Sequence, residues 1–217
     1  MNNRLTRALA LAIPLAASAS VLQAEEYRVT ITNLTQAQYF TPILVASHER
    51  GHPVFLPGQP ASGELEAVAE GGDTGPLAAS LDASDDVYDI SVSEGLLAPG
   101  ESVTVEVEGK KDYRYISLVS MLIPTNDAFI GLSGVKVPRR KNSAAMIPVP
   151  AYDAGTELND ESCASIPGPV CGGAGMSAEG GEGFIHVHPG IHGTGDLSAA
   201  TYDWRNPAAL VTIERMK

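Results

Sequence analysis

Two short acidic turns, each at the end of an apolar run, carry the side chains most suited to chemistry. The first turn contains Asp127 and follows the run 115–122, which reads YISLVSML. The second turn, 152–157, reads YDAGTE and contains Asp153 and Glu157. Carboxylates held on turns beside a β-core are the hard oxygen ligands that a calcium ion takes. Ordinary turn chemistry is the alternative, because Asp and Asn are common in any tight turn.

A second group of candidate ligands lies near the carboxyl end, where residues 184–193 read FIHVHPGIHG. If this segment is a strand, His186 and His188 point to the same face, and a turn could return His192 toward them. Imidazoles grouped in this way bind copper or zinc. The alternative is a hairpin whose histidines form hydrogen bonds with loop carbonyls and carboxylates.

The elements that must position these residues are mostly strands. Residues 27–35 and 102–108 alternate between apolar and polar side chains, which is the pattern of a strand with one buried face. The chain contains 22 Gly and 15 Pro, and a helical pattern is confined to short stretches such as 62–70. This combination predicts an all-β chain, folded as an antiparallel β-sandwich with a short helix.

The amino terminus predicts an exported protein. Residues 1–24 have the basic start, the short apolar core and the small-residue end of a signal peptide, in the Ala-rich form typical of bacteria. No later segment is long and apolar enough to be a transmembrane helix. The mature chain is therefore expected in the periplasm or outside the cell. There, Cys163 and Cys171 are expected to form a disulfide.

The composition and motifs narrow the function further. A net charge of −12 argues against a nucleic-acid partner. The chain shows no nucleophile elbow, and neither cysteine has a setting that would activate a thiol, so we do not expect an enzyme.

Several segments together resemble the spondin domain, the amino-terminal domain of F-spondin and mindin. The similar segments are the strand 117–124, the turn with Asp127, and the stretches 129–134 and 152–156. The resemblance implies a C2-like β-sandwich that holds a calcium ion, with Asp127, Asp153 and Glu157 at the ligand positions. Two positions depart from the family pattern. The chain reads Asn-Asp-Ala at 126–128 in place of Pro-Asp-Trp, and Glu157 replaces an Asp.

The resemblance extends from about residue 27 to residue 157 and includes the final strand-like stretch 209–215. We therefore predict one spondin-like domain over 25–217, with a disulfide-stapled, Gly- and His-rich insertion at 158–203. Its expected function is that of a calcium-binding, non-enzymatic adhesion or interaction module whose partner is an extracytoplasmic protein or glycan. The alternative is a periplasmic copper or zinc protein that uses His186, His188 and His192.

Overall fold

The computed structural model of the protein describes residues 24–176 and 180–216. Its strands are β1 (Glu25–Asn33), β2 (Tyr39–Phe40), β3 (Leu44–His48), β4 (Val87–Val92), β5 (Ser102–Gly109), β6 (Tyr115–Ile123), β7 (Ala128–Lys136), β8 (Ala144–Val149), β9 (Ala151–Asp153), β10 (His186–Val187) and β11 (Ala209–Arg215). Its helices are α1 (Gly63–Gly71), α2 (Gly75–Asp82) and α3 (Ala199–Tyr202).

The strands form two antiparallel sheets that face each other. The smaller sheet has the order β5-β1-β11-β8. The larger sheet has the order β10-β9-β7-β6-β3-β4, and β2 also pairs with β6. This arrangement confirms the predicted all-β antiparallel sandwich, and the described residues contain three short helices where one was predicted.

The alternating segments found in the sequence supply the core between the sheets. In β1, Tyr27, Val29 and Ile31 are fully buried while the residues between them are partly exposed. Val105 and Val107 of β5 are buried in the same cluster. Each such side chain removed from water contributes roughly 1.5–3 kcal/mol to the stability of the fold.

Strand β6, like β3 beside it, is buried on both faces. Leu118 belongs to the core between the sheets, whereas its neighbour Val119 belongs to a second apolar cluster. That second cluster includes Leu65 and Val68 of α1, so the helix covers the outer face of the larger sheet. Strand β6 therefore fixes both the turn that follows it and the helix packed against it.

Helix α1 begins and ends with defined caps. The Ser62 side chain accepts a hydrogen bond from the backbone N–H of Leu65 at 3.2 Å. At the other end, Gly72 adopts the left-handed conformation, and a Cβ at this position would lie 2.7 Å from a Thr41 methyl carbon. The helix therefore stops at a fixed point, with Glu70 in its last turn.

The structure describes the carboxyl end of the predicted domain but not the predicted signal peptide. The predicted signal peptide lies outside the described residues, except for Ala24. Strand β11 lies between β1 and β8, and the segment before it adds β10 to the larger sheet. In the described parts of the chain, none of the helices combines the length and the apolar character that a membrane crossing requires. The boundaries of the domain and of its insertion at 158–203 stay predictions.

Candidate metal centre

The pairing of β7 with β9 brings the two acidic turns together. Asp127 directly precedes β7, and Asp153 ends β9 opposite Ala128. The backbone N–H of Ala154 donates to the carbonyl oxygen of Asp127 at 3.2 Å. Asp127, Asp153 and Glu157 are all buried, with exposed fractions of 0%, 0% and 1%.

Asp127 uses only one of its two carboxylate oxygens for hydrogen bonds. Its Oδ2 accepts from the backbone N–H groups of Thr156 at 2.9 Å and Glu157 at 3.2 Å. Its Oδ1 is buried and has no hydrogen-bond partner among the described residues. A buried acceptor without a partner is costly, so this oxygen is available for a ligand.

The electrostatics of this turn favour a cation. Burial, together with the neighbouring charges of Asp153 and Glu157, raises the pKa of Asp127 to about 7. Burial also raises the pKa of Asp153. Like charges that are held together out of water repel one another, and a divalent ion would relieve that repulsion.

Helix α1 adds a fourth carboxylate, which was missed in the sequence. Glu70 is 2% exposed, and its Oε2 has no hydrogen-bond partner among the described residues. Burial raises the pKa of Glu70 to about 7, and the nearby charge of Glu157 contributes to the shift. Asp127, Asp153, Glu157 and Glu70 are together called the acidic cluster below. The available signal for Glu70 was its place beside the buried Val68 and Ala69 in α1.

The departure at position 126 has a local structural reason. Asn126 is buried, and its side-chain oxygen accepts from the backbone N–H of Glu161 at 3.1 Å. Its side-chain nitrogen donates to Oδ1 of Asp160 at 3.0 Å. Asn126 therefore ties the first acidic turn to the segment that follows the second.

Asp153 is held in place by a chain of hydrogen bonds. Its Oδ1 accepts from the backbone N–H of Gly155 at 2.8 Å, and its Oδ2 accepts from the side chain of Asn159 at 2.6 Å. The Asn159 side-chain oxygen in turn accepts from Nε2 of His188 at 3.1 Å. The Nδ1 atom of His188 accepts from the backbone N–H of Gly190 at 2.9 Å. Both ring nitrogens of His188 are therefore engaged.

A second grouping lies beside Asp153. Within the described residues, one set of Asp, Glu, His or Cys side chains places three ligand atoms within 4.8 Å of one another, and it consists of Asp153, Glu182 and His186. We call it the mixed cluster. The Nε2 atom of His186 lies 3.6 Å from Oδ1 of Asp153 and 3.4 Å from Oε2 of Glu182. These residues form a candidate metal site.

Of the three histidines predicted to bind a metal together, only one lies in the mixed cluster. This one is His186, whereas His188 serves the hydrogen-bond chain described above. Burial lowers the pKa of His188 to about 3, so its ring is neutral at ordinary pH. His192 is exposed, and its backbone N–H donates to Oε1 of Glu161. Joint metal binding by all three histidines stays a prediction, as does the calcium ligand set.

The predicted disulfide is confirmed. Cys163 and Cys171 are bonded, with their Cα atoms 4.7 Å apart. The loop that they close carries Ile166, which is fully buried in the core between the sheets. The bond therefore fixes a short loop to the body of the domain, and it is consistent with an exported protein.

These features define a two-sheet antiparallel β-sandwich with buried acidic turns at one edge. The Spondin_N family model matches residues 28–164, and the chain belongs to this family. Domains of this family are generally non-catalytic binding modules. The comparison with curated proteins found no match. The resemblance noted in the sequence is thus confirmed at the level of the family, whereas a bacterial origin stays a prediction.

Proposed function

We propose that this protein is an exported, calcium-binding interaction module that catalyses no reaction. The calcium ion would be held by Asp127, Asp153 and Glu157. The observation that supports this proposal most directly is the buried Oδ1 atom of Asp127, which has no hydrogen-bond partner among the described residues. The charges of two further buried carboxylates, Asp153 and Glu157, act on Asp127, and a cation would offset them.

The donor set fits calcium better than a softer metal. All three proposed ligands are carboxylates, and calcium takes six to eight oxygen ligands, which include carboxylates, carbonyls and water. The charge of Glu157 contributes to the raised pKa of Glu70, so the two carboxylates lie close together. Helix α1 could therefore add a further oxygen ligand. The bound ion would neutralise part of the negative charge and tie the turn before β7 to the turn after β9.

The interaction function rests on the family and on the position of the acidic turns. Spondin_N domains are generally non-catalytic binding modules. A calcium ion would hold the segments 124–127 and 154–157 in one arrangement, and loops at the edge of a sandwich are where such domains commonly bind partners. We propose an extracytoplasmic protein or glycan as the partner, with adhesion as the outcome.

Calorimetric titration of chelator-treated protein with Ca²⁺ tests the ion. We expect saturable binding by the wild-type protein and a loss of at least about a hundredfold in affinity in Asp127→Asn, because one charged ligand is removed. Asp112→Asn is the matched control, since Asp112 is exposed in the turn between β5 and β6. Binding that is absent in the wild type, or that is equal in Asp127→Asn and wild type, would refute the proposed site.

A second experiment tests the interaction. Purified protein is applied to immobilised glycans and extracytoplasmic matrix proteins in calcium and, in parallel, in chelator. We expect binding that depends on calcium and that is lost in Asp127→Asn but kept in Asp112→Asn. Binding that does not change on chelation would separate the interaction from the ion.

A further inference from the structure

The backbone holds the three residues of the mixed cluster in a fixed relation. Strand β10 pairs with β9 so that His186 lies opposite Asp153. The backbone N–H of Gly183, the residue after Glu182, donates to the carbonyl oxygen of Gly155 at 2.9 Å. Gly155 has a φ of +70°, and a Cβ there would lie 2.5 Å from the carbonyl oxygen of Phe184. The two segments therefore pack backbone against backbone.

His186 directs its Nε2 atom into this cluster. Its Nδ1 lies 3.1 Å from the carbonyl oxygen of Val187, which can only accept, so Nδ1 carries the proton. When the ring is neutral, Nε2 therefore has a lone pair. The Nε2 atom is buried and has no hydrogen-bond partner among the described residues, although it faces two carboxylate oxygens.

The two distances from His186 to the carboxylates match the spacing of ligands in a metal site. A charge-assisted hydrogen bond between an imidazolium and a carboxylate would be about 2.7–2.9 Å long. The two distances from Nε2 of His186 to the carboxylate oxygens, 3.4 and 3.6 Å, are longer than this. In a tetrahedral site with bonds of about 2.0–2.1 Å, neighbouring ligand atoms lie roughly 3.3–3.4 Å apart. These two distances are therefore close to the spacing of ligands around one ion, and all three ligand atoms lie within 4.8 Å of one another.

We infer that Asp153, Glu182 and His186 form a second metal site, which takes a divalent transition-metal ion of the zinc type. The imidazole distinguishes it from the acidic cluster, because calcium is bound by oxygen ligands whereas imidazole suits zinc and copper. The Glu182 side chain is 46% exposed, so solvent can reach the ion and supply a fourth ligand. This inference goes beyond the proposed calcium function, but both sites use Asp153.

The hydrogen bonds around the cluster support this role. Protein metal ligands are commonly oriented by groups that bind their remaining atoms. Here Val187 fixes the tautomer of His186, while Gly155 and Asn159 hold Asp153. His188 supports Asn159 and is therefore a positioning residue for Asp153. The histidine-rich segment thus contributes one ligand and one supporting side chain.

Titration with Zn²⁺ tests the second site, using calcium-loaded wild-type protein, His186→Ala and Glu182→Gln. We expect one zinc ion per wild-type chain and affinity at least about tenfold weaker in each variant. His52→Ala is the matched control, because His52 is exposed and paired with Asp86. The partly exposed Glu182→Gln provides a second test if His186→Ala does not fold. Substitution with Co²⁺ gives an absorption band that reports a tetrahedral site with nitrogen and oxygen ligands.

The same variants separate this inference from the calcium proposal. His186→Ala and Glu182→Gln should bind Ca²⁺ as the wild type does, whereas Asp127→Asn should keep its zinc site. Absence of zinc binding in the wild type would overturn the inference, and so would equal zinc affinity in wild type and His186→Ala. Zinc binding that disappears in Asp127→Asn but persists in His186→Ala would place the zinc in the acidic cluster, and would also overturn it.

Discussion

Replacing Asp127 by Asn should make the calcium-free protein more stable while removing its response to calcium. Asp127 is fully buried, and its charge is opposed by burial and by the charges of Asp153 and Glu157. Asn keeps the shape of the side chain and an oxygen that can accept from the backbone N–H groups of Thr156 and Glu157. Its amide can donate to the neighbouring carboxylates. The substitution therefore removes a repulsive charge without emptying the site.

The structure sets the size of this gain. The pKa of Asp127 is raised from 3.8 to about 7, a difference of about three units. At 1.36 kcal/mol per unit, keeping this group ionised in the folded state costs at most about 4 kcal/mol at pH 8. Since the amide must be accommodated, we expect a gain of about 1–4 kcal/mol in the free energy of unfolding. For a domain of this size, each kcal/mol corresponds to a melting-temperature rise of about 2–4 °C.

Thermal unfolding at pH 8, followed by circular dichroism in chelator and in excess calcium, measures both effects. Calcium at a hundred times the wild-type dissociation constant should stabilise the wild type by about 2.7 kcal/mol and Asp127→Asn by at most about 0.4 kcal/mol. Asp112→Asn should behave as the wild type in both conditions. The reasoning is refuted if Asp127→Asn melts below the wild type in chelator while calcium leaves the wild-type melting temperature unchanged.

Three other predictions follow from the same structure. Without calcium, the free energy of unfolding should fall as pH rises from about 4 to 7. The raised pKa values of Asp127 and Glu70 make the folded state bind more protons than the unfolded state, and together they outweigh the lowered pKa of His188, which acts in the opposite direction. Urea unfolding across this range measures the effect, and a rising or flat profile would contradict it. Gly155→Ala should lower the melting temperature and the metal affinity of both sites, because the new Cβ would lie 2.5 Å from the Phe184 carbonyl oxygen. A variant that melts and binds metal like the wild type would show that the loop adapts freely. Replacing Cys163 and Cys171 by Ser should lower the free energy of unfolding by roughly 2–3 kcal/mol, because the disulfide closes a loop between cysteines eight residues apart. Calcium affinity should stay within about twofold. Loss of calcium binding in a folded double variant would link this loop to the calcium site.

The sequence was most informative where local pattern and pairing coincide. Alternation in 27–35 and 102–108 predicted strands because each has one face in the core. Asp127 and Asp153 could be identified as candidates because each adjoins an apolar strand, and the pairing of those strands brings them together. The disulfide was predictable from two cysteines eight residues apart in a chain with an export-like amino terminus.

The remaining parts of the site depend on tertiary packing. Glu70 reaches the acidic cluster only because α1 packs across β6, which no local pattern specifies. Glu182 lies in a glycine-rich loop whose path depends on the close approach of Gly155 and Phe184. The period-two argument for His186 and His188 ends early, because β10 contains only His186 and Val187. Beyond that strand, His188 turns inward and its ring lies 5.0 Å from that of Trp204.

The position of β11 has a consequence for how the protein is made. This last strand pairs with β1 on one side and β8 on the other, so that Ile213 lies opposite Val29 and also opposite Ala145. During synthesis, β1 can pair with β5 once about half of the chain is made, but its second neighbour, β11, is made only near the end. Until then, two strand edges remain open to pairing with other chains. A fragment limited to residues 28–164 would keep those open edges permanently and should tend to aggregate.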